Sequence, residues 1–314
     1  MRDLRIVFMG TPEFAVATLD ELIKAKFNIV GVITAPDKPA GRGRKLNESP
    51  VKQYAVKHNL NILQPTNLKN EDFLSELKSL NANLQIVVAF RMLPKIVWQM
   101  PKFGTFNLHA SLLPNYRGAA PINWAIINGE KKTGVSTFFI DEKIDTGNII
   151  LQEEIEIGTH EILGELYEKL MTIGSHLVVK TVKLIEKGNV KTIKQPEIEE
   201  KPAPKIFTET CKINWNKKTT SIYNLIRGLN PYPAAWSTLI NNEDKIKVKL
   251  FDCKPIIEKH TLKPGTVVTS KNEIKVATID GYIFIESLQL SGKRKMNTKD
   301  LLNGFKFDAL AAMN

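Results

Sequence analysis

The sequence predicts an α/β chain in two parts, a mostly parallel sheet covered by helices and then a small all-β domain. Three observations predict it. Strand-like apolar runs alternate with helical periodicity from the N-terminus to about residue 187, a proline- and charge-rich stretch occupies 190–207, and short strand-like runs follow one another after it. Arg5 to Met9 is an apolar run ending at Gly10, and Thr11 and Pro12 stand as N-cap and first residue of a helix. Apolar residues at 15, 16, 19, 22 and 23 keep helical spacing, and Ile29 to Ile33 reads as a second buried strand. Ser49 and Pro50 start another helix, Asn61 to Leu63 is a brief strand, 71–80 is helical, and Gln85 to Phe90 is a third strong strand. Two more strands are expected at 104–108 and 134–140, then a long helix over 160–187. This alternation is that of a Rossmann-like domain over 1–189, with 190–207 as an extended linker. Beyond it, a helix at 217–228 precedes strands near 235–240, 245–252, 265–269, 273–279 and 282–290, which suggests an OB-like β-barrel over 208–314.

Composition bounds the function. The 314 residues suggest about two domains, and 43% apolar residues suffice for a core in each. The longest apolar runs are far short of a membrane span, and MRDLRIVFMGTPEF lacks the pattern of a secretory signal. Two cysteines, Cys211 and Cys253, form no Cys-x-x-Cys pair, and the five histidines are scattered, so no metal is expected and the chain reads as cytoplasmic. The net charge of +11 is unevenly spread: 206–314 carries 17 basic and 10 acidic side chains, against 27 and 23 in 1–205. The C-terminal part is therefore the better surface for an acidic partner.

The first turn has no Gly-x-Gly-x-x-Gly, and no strand is followed by a P-loop, so a dinucleotide or nucleoside triphosphate is not expected there. Gly10 is either a turn glycine or a point of close ligand approach. The informative block runs from Gly104 to Gly147. Alternation through Phe106, Asn107, Leu108 and His109 puts Asn107 and His109 on one face of a strand end. An amide and an imidazole side by side can stabilise an oxyanion, and a carboxylate such as Asp145 can orient or charge the histidine. On the residues alone, a satisfied core histidine is the favoured reading.

Asn107-x-His109, then SLLP from Ser111 to Pro114, then YRGAAPINW and the later IDTG, together resemble the folate-dependent formyltransferase family. The resemblance implies formyl transfer from 10-formyltetrahydrofolate to an amine, with Asn107, His109 and Asp145 catalytic. It implies a folate site at Ser111, Leu112, Leu113 and Pro114 and at the end of the strand over 86–90. The stretch AFRMLPK departs from the family pattern, with Arg91 and a shorter turn where a Tyr-Gly pair is common.

APDKPAGRGRKL, from Ala35 to Leu46, carries Lys38, Arg42, Arg44 and Lys45, with Lys52 nearby. Glycines between basic residues let a backbone bring guanidinium groups to phosphates. This loop resembles the one with which family members acting on methionyl initiator tRNA engage its acceptor end. TCKINWNK and LIRGLNPYPAAWS are similar to the C-terminal domain of those members. Trp215, Tyr232 and Trp236 are expected to pack a core, and Arg227 to pack or to bind. A monomer with methionyl initiator tRNA as its partner and no obligatory protein partner is the expectation. A sugar-nucleotide formyltransferase and a non-catalytic tRNA-binding or folate-sensing module are the alternatives.

Overall fold

The structure, a computed structural model, describes residues 1–40, 45–196 and 201–314. Its chain gathers into two compact units: Met1–Gly118, Gly134–Ile155 and Glu168–Pro202 in one, and Ala119–Thr133, Glu156–Tyr167 and Ala203–Asn314 in the other.

In the first unit the elements follow in order as β1 (Arg5–Gly10), α1 (Glu13–Lys24), β2 (Asn28–Ile33), β3 (Lys38–Ala40), β4 (Lys45–Asn47), α2 (Pro50–Lys57) and β5 (Ile62–Leu63). Next come α3 (Glu71–Ser79), β6 (Leu84–Val88), α4 (Lys95–Trp98), β7 (Thr105–His109) and, after α5 (Pro121–Ile127), β8 (Lys132–Phe139), β9 (Ile149–Glu156) and α6 (Leu163–Lys187). The seven-stranded sheet has the order β5-β2-β1-β6-β7-β8-β9. β5, β2, β1, β6 and β7 are parallel, and β8 runs antiparallel to β7. Ile6 to Met9 of β1 and all of β6 are buried, as strands covered on both faces must be. Ser49 caps α2 by accepting from the Lys52 N–H at 3.1 Å, with Pro50 at the first helical position. At α1 the expected start moves by one residue, with Pro12 at the N-cap and Glu13 first in the helix. A Cβ at Gly10 would lie 2.5 Å from the Ala15 Cβ and 3.1 Å from the Val88 oxygen, so this glycine lets α1 and β6 close on β1.

The strand β9 was not expected, although IILQEEIE alternates regularly between half-buried and exposed positions along its later part. The hairpin of β3 and β4, likewise unexpected, brackets the basic loop. The stretch at 190–207, expected as an extended connection, is mostly exposed among its described residues, but Ile193 exchanges backbone hydrogen bonds with Ile149, and Gln195 and Ala203 are buried. Its polar residues find partners in the fold, which composition alone does not reveal.

In the second unit, α7 (Thr219–Arg227) precedes β10 (Ala235–Asn241), β11 (Asp244–Leu250), β12 (Cys253–Ile257), β13 (Val267–Thr269), β14 (Ile274–Ala277), β15 (Gly281–Ile285), β16 (Ser287–Leu290), β17 (Met296–Asn297), α8 (Thr298–Gly304) and β18 (Ala312–Met313). Mostly antiparallel strands form two sheets, β17-β16-β11-β10-β18 and β12-β15-β14-β13, a small barrel-like domain. The expected strand over 282–290 divides at Glu286, and its halves join different sheets. A run of alternating residues cannot reveal such a corner. Trp215 is buried and donates its indole N–H to Ser237 Oγ at 2.9 Å. Tyr232, by contrast, is 79% exposed in the turn before β10 and does not pack the core. Arg227 is buried, donating to the Glu161 carbonyl at 3.0 Å and to Asn224 Oδ1 at 2.8 Å, a structural role. α5 belongs to this unit because Asn123 donates to the Gly228 carbonyl and Trp124 to the Pro204 carbonyl.

The N-terminus of α7 is capped from outside its own segment. Asp280 accepts from the Thr219 N–H and hydroxyl, each at 2.8 Å, and the backbone bond holds its carboxyl below the ordinary carboxylate range. A depressed folded value contributes stability that is present above the unfolded value near 3.9 and is lost as pH falls through the folded one. Asp280→Ala should therefore cost about 1 kcal/mol at neutral pH, solvent screening included, and progressively less below about pH 4. Urea melts at pH 7 and pH 3 test this; an equal loss at both would show that the cap charge is immaterial.

Candidate active site

β7 delivers the amide and the imidazole. Phe106 and Leu108 are buried on one face, so Asn107 and His109 point to the other. Half-buried Asn107 makes no side-chain hydrogen bond among the described residues, which leaves its amide N–H available to a ligand. The His109 side chain is 7% exposed, and its Nε2 lies 2.8 Å from the Tyr116 carbonyl. A carbonyl only accepts, so Nε2 carries the hydrogen and Nδ1 is the position free to gain or lose a proton. Nδ1 faces Asp145 Oδ2 at 3.8 Å. That separation is too long for a hydrogen bond.

Asp145 comes from the loop between β8 and β9. Its Oδ2 accepts from the Gly118 N–H at 2.9 Å, and its backbone has φ +55°. Ala89 after β6 and Tyr116 after the SLLP turn also hold left-handed backbone, at φ +47° and +61°. Such conformations persist in non-glycine residues where the surroundings enforce them, and here they flank the carboxyl ends of neighbouring strands. Gly147 allows the loop to close, since a Cβ there would lie 1.6 Å from the Phe139 carbonyl oxygen. Two residues of this region went unread in the sequence. Arg117 donates to Gln195 Oε1 from Nε at 3.2 Å and Nη2 at 2.8 Å, and Gln195 donates to the carbonyls of Asp145 and Gly147 at 3.0 and 2.7 Å. Arg117 stood in plain view in YRGAAP, but nothing local pairs it with a glutamine 78 residues away.

The SLLP turn is held from inside. Ser136 Oγ donates to the Ser111 carbonyl at 2.6 Å and accepts from the Leu113 N–H at 3.1 Å, and Gln152 donates to the Leu113 carbonyl at 3.0 Å. The Ser111 hydroxyl donates to the Asn115 carbonyl at 2.7 Å. These groups are already paired, so a ligand at this turn would meet half-buried Leu112 and Pro114 and a rigid backbone. Arg91 donates to the Pro65 and Thr66 carbonyls and lines an open cleft of 650 Å³ with Lys69, Met92, Leu93 and Ile96.

Of the basic loop, Arg42 and Arg44 lie outside the described residues, while Lys38 on β3 is exposed and Lys45 begins β4. Lys52 is engaged elsewhere. It pairs with Asp37 and with Glu48, and it holds the Asp37 carboxyl below its ordinary value. Among the described residues no group of three His, Cys, Asp or Glu side chains is placed to hold a metal ion, and no helix is long and apolar enough to cross a membrane.

Known proteins share this design. A Flavobacterium johnsoniae protein named methionyl-tRNA formyltransferase is 59% identical over 308 residues, 98% of each chain. A Bacteroides fragilis protein of the same name is 55% identical, over 96% of this chain and 95% of the relative. Among solved structures, the sugar 3N-formyl transferase WlaRD, crystallised in the presence of dTDP and 5-N-formyl-THF, superposes with a TM-score of 0.64 at 25% identity, over 94% of this chain and 100% of that one. The formyl transferase model matches residues 4–182, which hold β7, the SLLP turn and Asp145, and the formyl transferase C-terminal domain model matches 205–306. With both models matched in order and relatives more than half identical along nearly its whole length, the chain belongs to the formyl transferase family.

Proposed function

We propose that this chain transfers the formyl group of 10-formyltetrahydrofolate to the α-amino group of methionyl initiator tRNA, giving N-formylmethionyl-tRNA for the start of translation. The observation that carries the reading is the meeting of Asn107, His109 and Asp145 at the end of β7, in a chain 52–59% identical to bacterial relatives named for that reaction. The sugar-nucleotide alternative has weaker support, because the sugar formyl transferase it resembles is only 25% identical. Residues 1–189 form the catalytic part in this reading, 190–207 the connection, and 208–314 the tRNA-binding part. The protein works as a cytoplasmic monomer without a metal.

The chemistry follows from the side chains. An amine attacking a formyl carbon builds negative charge on the formyl oxygen, and the unpartnered Asn107 N–H is placed to donate to it; one such donor is worth about 3 to 4 kcal/mol. An α-amino group has a pKa of about 7.7 to 8.0, lower when its carboxyl is esterified, so much of it is neutral at the start. His109 takes the amine proton at Nδ1 as the new C–N bond forms. Asp145 supports the resulting imidazolium, and the proton returns to the folate nitrogen as the old C–N bond breaks. Ser111, Leu112, Leu113 and Pro114, with the end of β6, hold the folate by shape and apolar contact, since their paired backbone groups leave few free donors.

For tRNA, Lys38, Arg42, Arg44 and Lys45 approach the acceptor end. The second unit adds a basic aromatic face. Lys247 stands 4.0 Å and Lys212 5.7 Å from the Trp236 ring centre, and Lys205 lies 5.6 Å from that of exposed Phe207. Binding should weaken linearly in log affinity against log salt, and Arg42→Ala should lower productive tRNA engagement while sparing folate binding. Filter binding across a salt series checks this; an affinity indifferent to salt contradicts it. The deciding experiment incubates the protein with 10-formyltetrahydrofolate and methionyl initiator tRNA, uncharged tRNA or an amino sugar nucleotide. Formyl on the methionine alone is expected, and formyl on the sugar alone would replace the reading.

A further inference from the structure

We propose that Gln195 and Arg117 are positioning residues for the reaction, holding Asp145 and His109 in register through a closed circuit of contacts. Three consecutive residues each secure one point of that circuit. The Tyr116 carbonyl accepts from His109 Nε2, the Arg117 guanidinium holds Gln195, and the Gly118 N–H donates to Asp145 Oδ2. Gln195 closes it by donating both amide hydrogens to the carbonyls of Asp145 and Gly147, and Asp145 faces His109 across 3.8 Å. Gln195 is 5% and Arg117 6% exposed, so these bonds form without competing water.

The amide has one possible orientation. A guanidinium only donates and backbone carbonyls only accept, so Oε1 must face Arg117 and Nε2 the Asp145 loop. Arg117 also donates to the Pro196 carbonyl, and among the described residues its partners are neutral. Its buried charge therefore polarises the Gln195 amide and strengthens the two N–H donations. Those donations fix the carbonyls on either side of Thr146, directly after a residue held at φ +55°. A left-handed conformation is unfavourable for most L-residues, so the loop would relax without an outside hold. Asp145 Oδ2 would then leave its place beside His109 Nδ1, and a displacement of about 1 Å in a reacting group costs about 100-fold in rate.

This inference rests on the assignment of Asp145 and His109 to the reacting set. Gln195→Glu tests it in the full-length protein, because a carboxylate keeps the size and gives Arg117 a stronger partner while setting an acceptor against two carbonyl acceptors. The expected result is a kcat lower by about 100-fold, KM for both substrates within about twofold, and altered ¹⁵N shifts of the His109 ring. Gln195→Met, which lacks both donors but keeps the volume, carries the same expectation if the first variant does not fold. Asp145→Asn is measured alongside. Wild-type kcat and unchanged His109 shifts in the Gln195 variants, with Asp145→Asn inactive, would overturn the positioning role alone. An active Asp145→Asn would instead overturn the catalytic assignment beneath it.

Discussion

Replacing His109 with alanine should lower the rate of formyl transfer by about 10²- to 10⁴-fold, the range of a positioned acid–base group, and leave tRNA affinity within about twofold. His109 is the one ring at the end of β7, with Nε2 committed to the Tyr116 carbonyl and Nδ1 toward Asp145. In the proposed mechanism, removing it deletes the proton carrier and leaves the carboxylate with nothing to support. Asp145→Ala should fall in the same range, and the double variant should be little worse than either single one, because groups that act as a unit lose their effect together. Single-turnover rates on pre-bound methionyl tRNA isolate the chemical step. Equal losses of affinity in both variants would show that these residues bind the substrate and do not carry the reaction. The alanine also removes the His109 hydrogen bond to the Tyr116 carbonyl, so thermal melts accompany the kinetics.

Gly147→Ala should be the most damaging glycine-to-alanine change among the described residues of the first unit. Its Cβ would fall 1.6 Å from the Phe139 oxygen and 2.8 Å from the Phe139 carbonyl carbon, which are main-chain atoms at the end of β8 and cannot swing aside. The loop must move instead, and with it Asp145 two residues earlier. Overpacking of this kind costs about 3 kcal/mol of stability, and turnover should fall further than stability predicts because the carboxylate leaves His109. Gly304→Ala is the control: nothing lies within 4 Å of that Cβ, and its stability should change by less than about 0.5 kcal/mol. Denaturant melts and initial rates on both variants separate the two effects. A Gly147→Ala protein with normal stability and activity would mean that the Asp145 loop tolerates displacement.

Much of the first unit was legible because its signals are local. The runs at β1, β2 and β6 are continuous and apolar since both faces are covered, and the Ser49 cap sits directly before its helix. Asn107 and His109 could be put on one face from the period of a strand alone. Asp145 could not. It lies 36 residues beyond His109 in a loop, and only the likeness of its IDTG segment to a family pattern singled it out. Gln195 was read as part of a charged linker, since a glutamine among prolines and lysines looks solvated until Arg117 is found against it.

By itself the sequence determined the alternation of strands and helices, the Ser49 cap of α2, the pairing of an amide with an imidazole on one strand, and the basic bias of the C-terminal part. Each is set by neighbours within a few residues, through backbone propensity, side-chain period or charge. Tertiary structure decided which nitrogen of His109 is committed to a carbonyl, how Asp145 is held beside it, why Gln195 is buried in a mostly exposed connecting segment, and where one apparent strand divides between two sheets. Those depend on contacts between residues as much as 78 positions apart, and such contacts exist only once the chain has closed its loops and taken buried polar groups away from water.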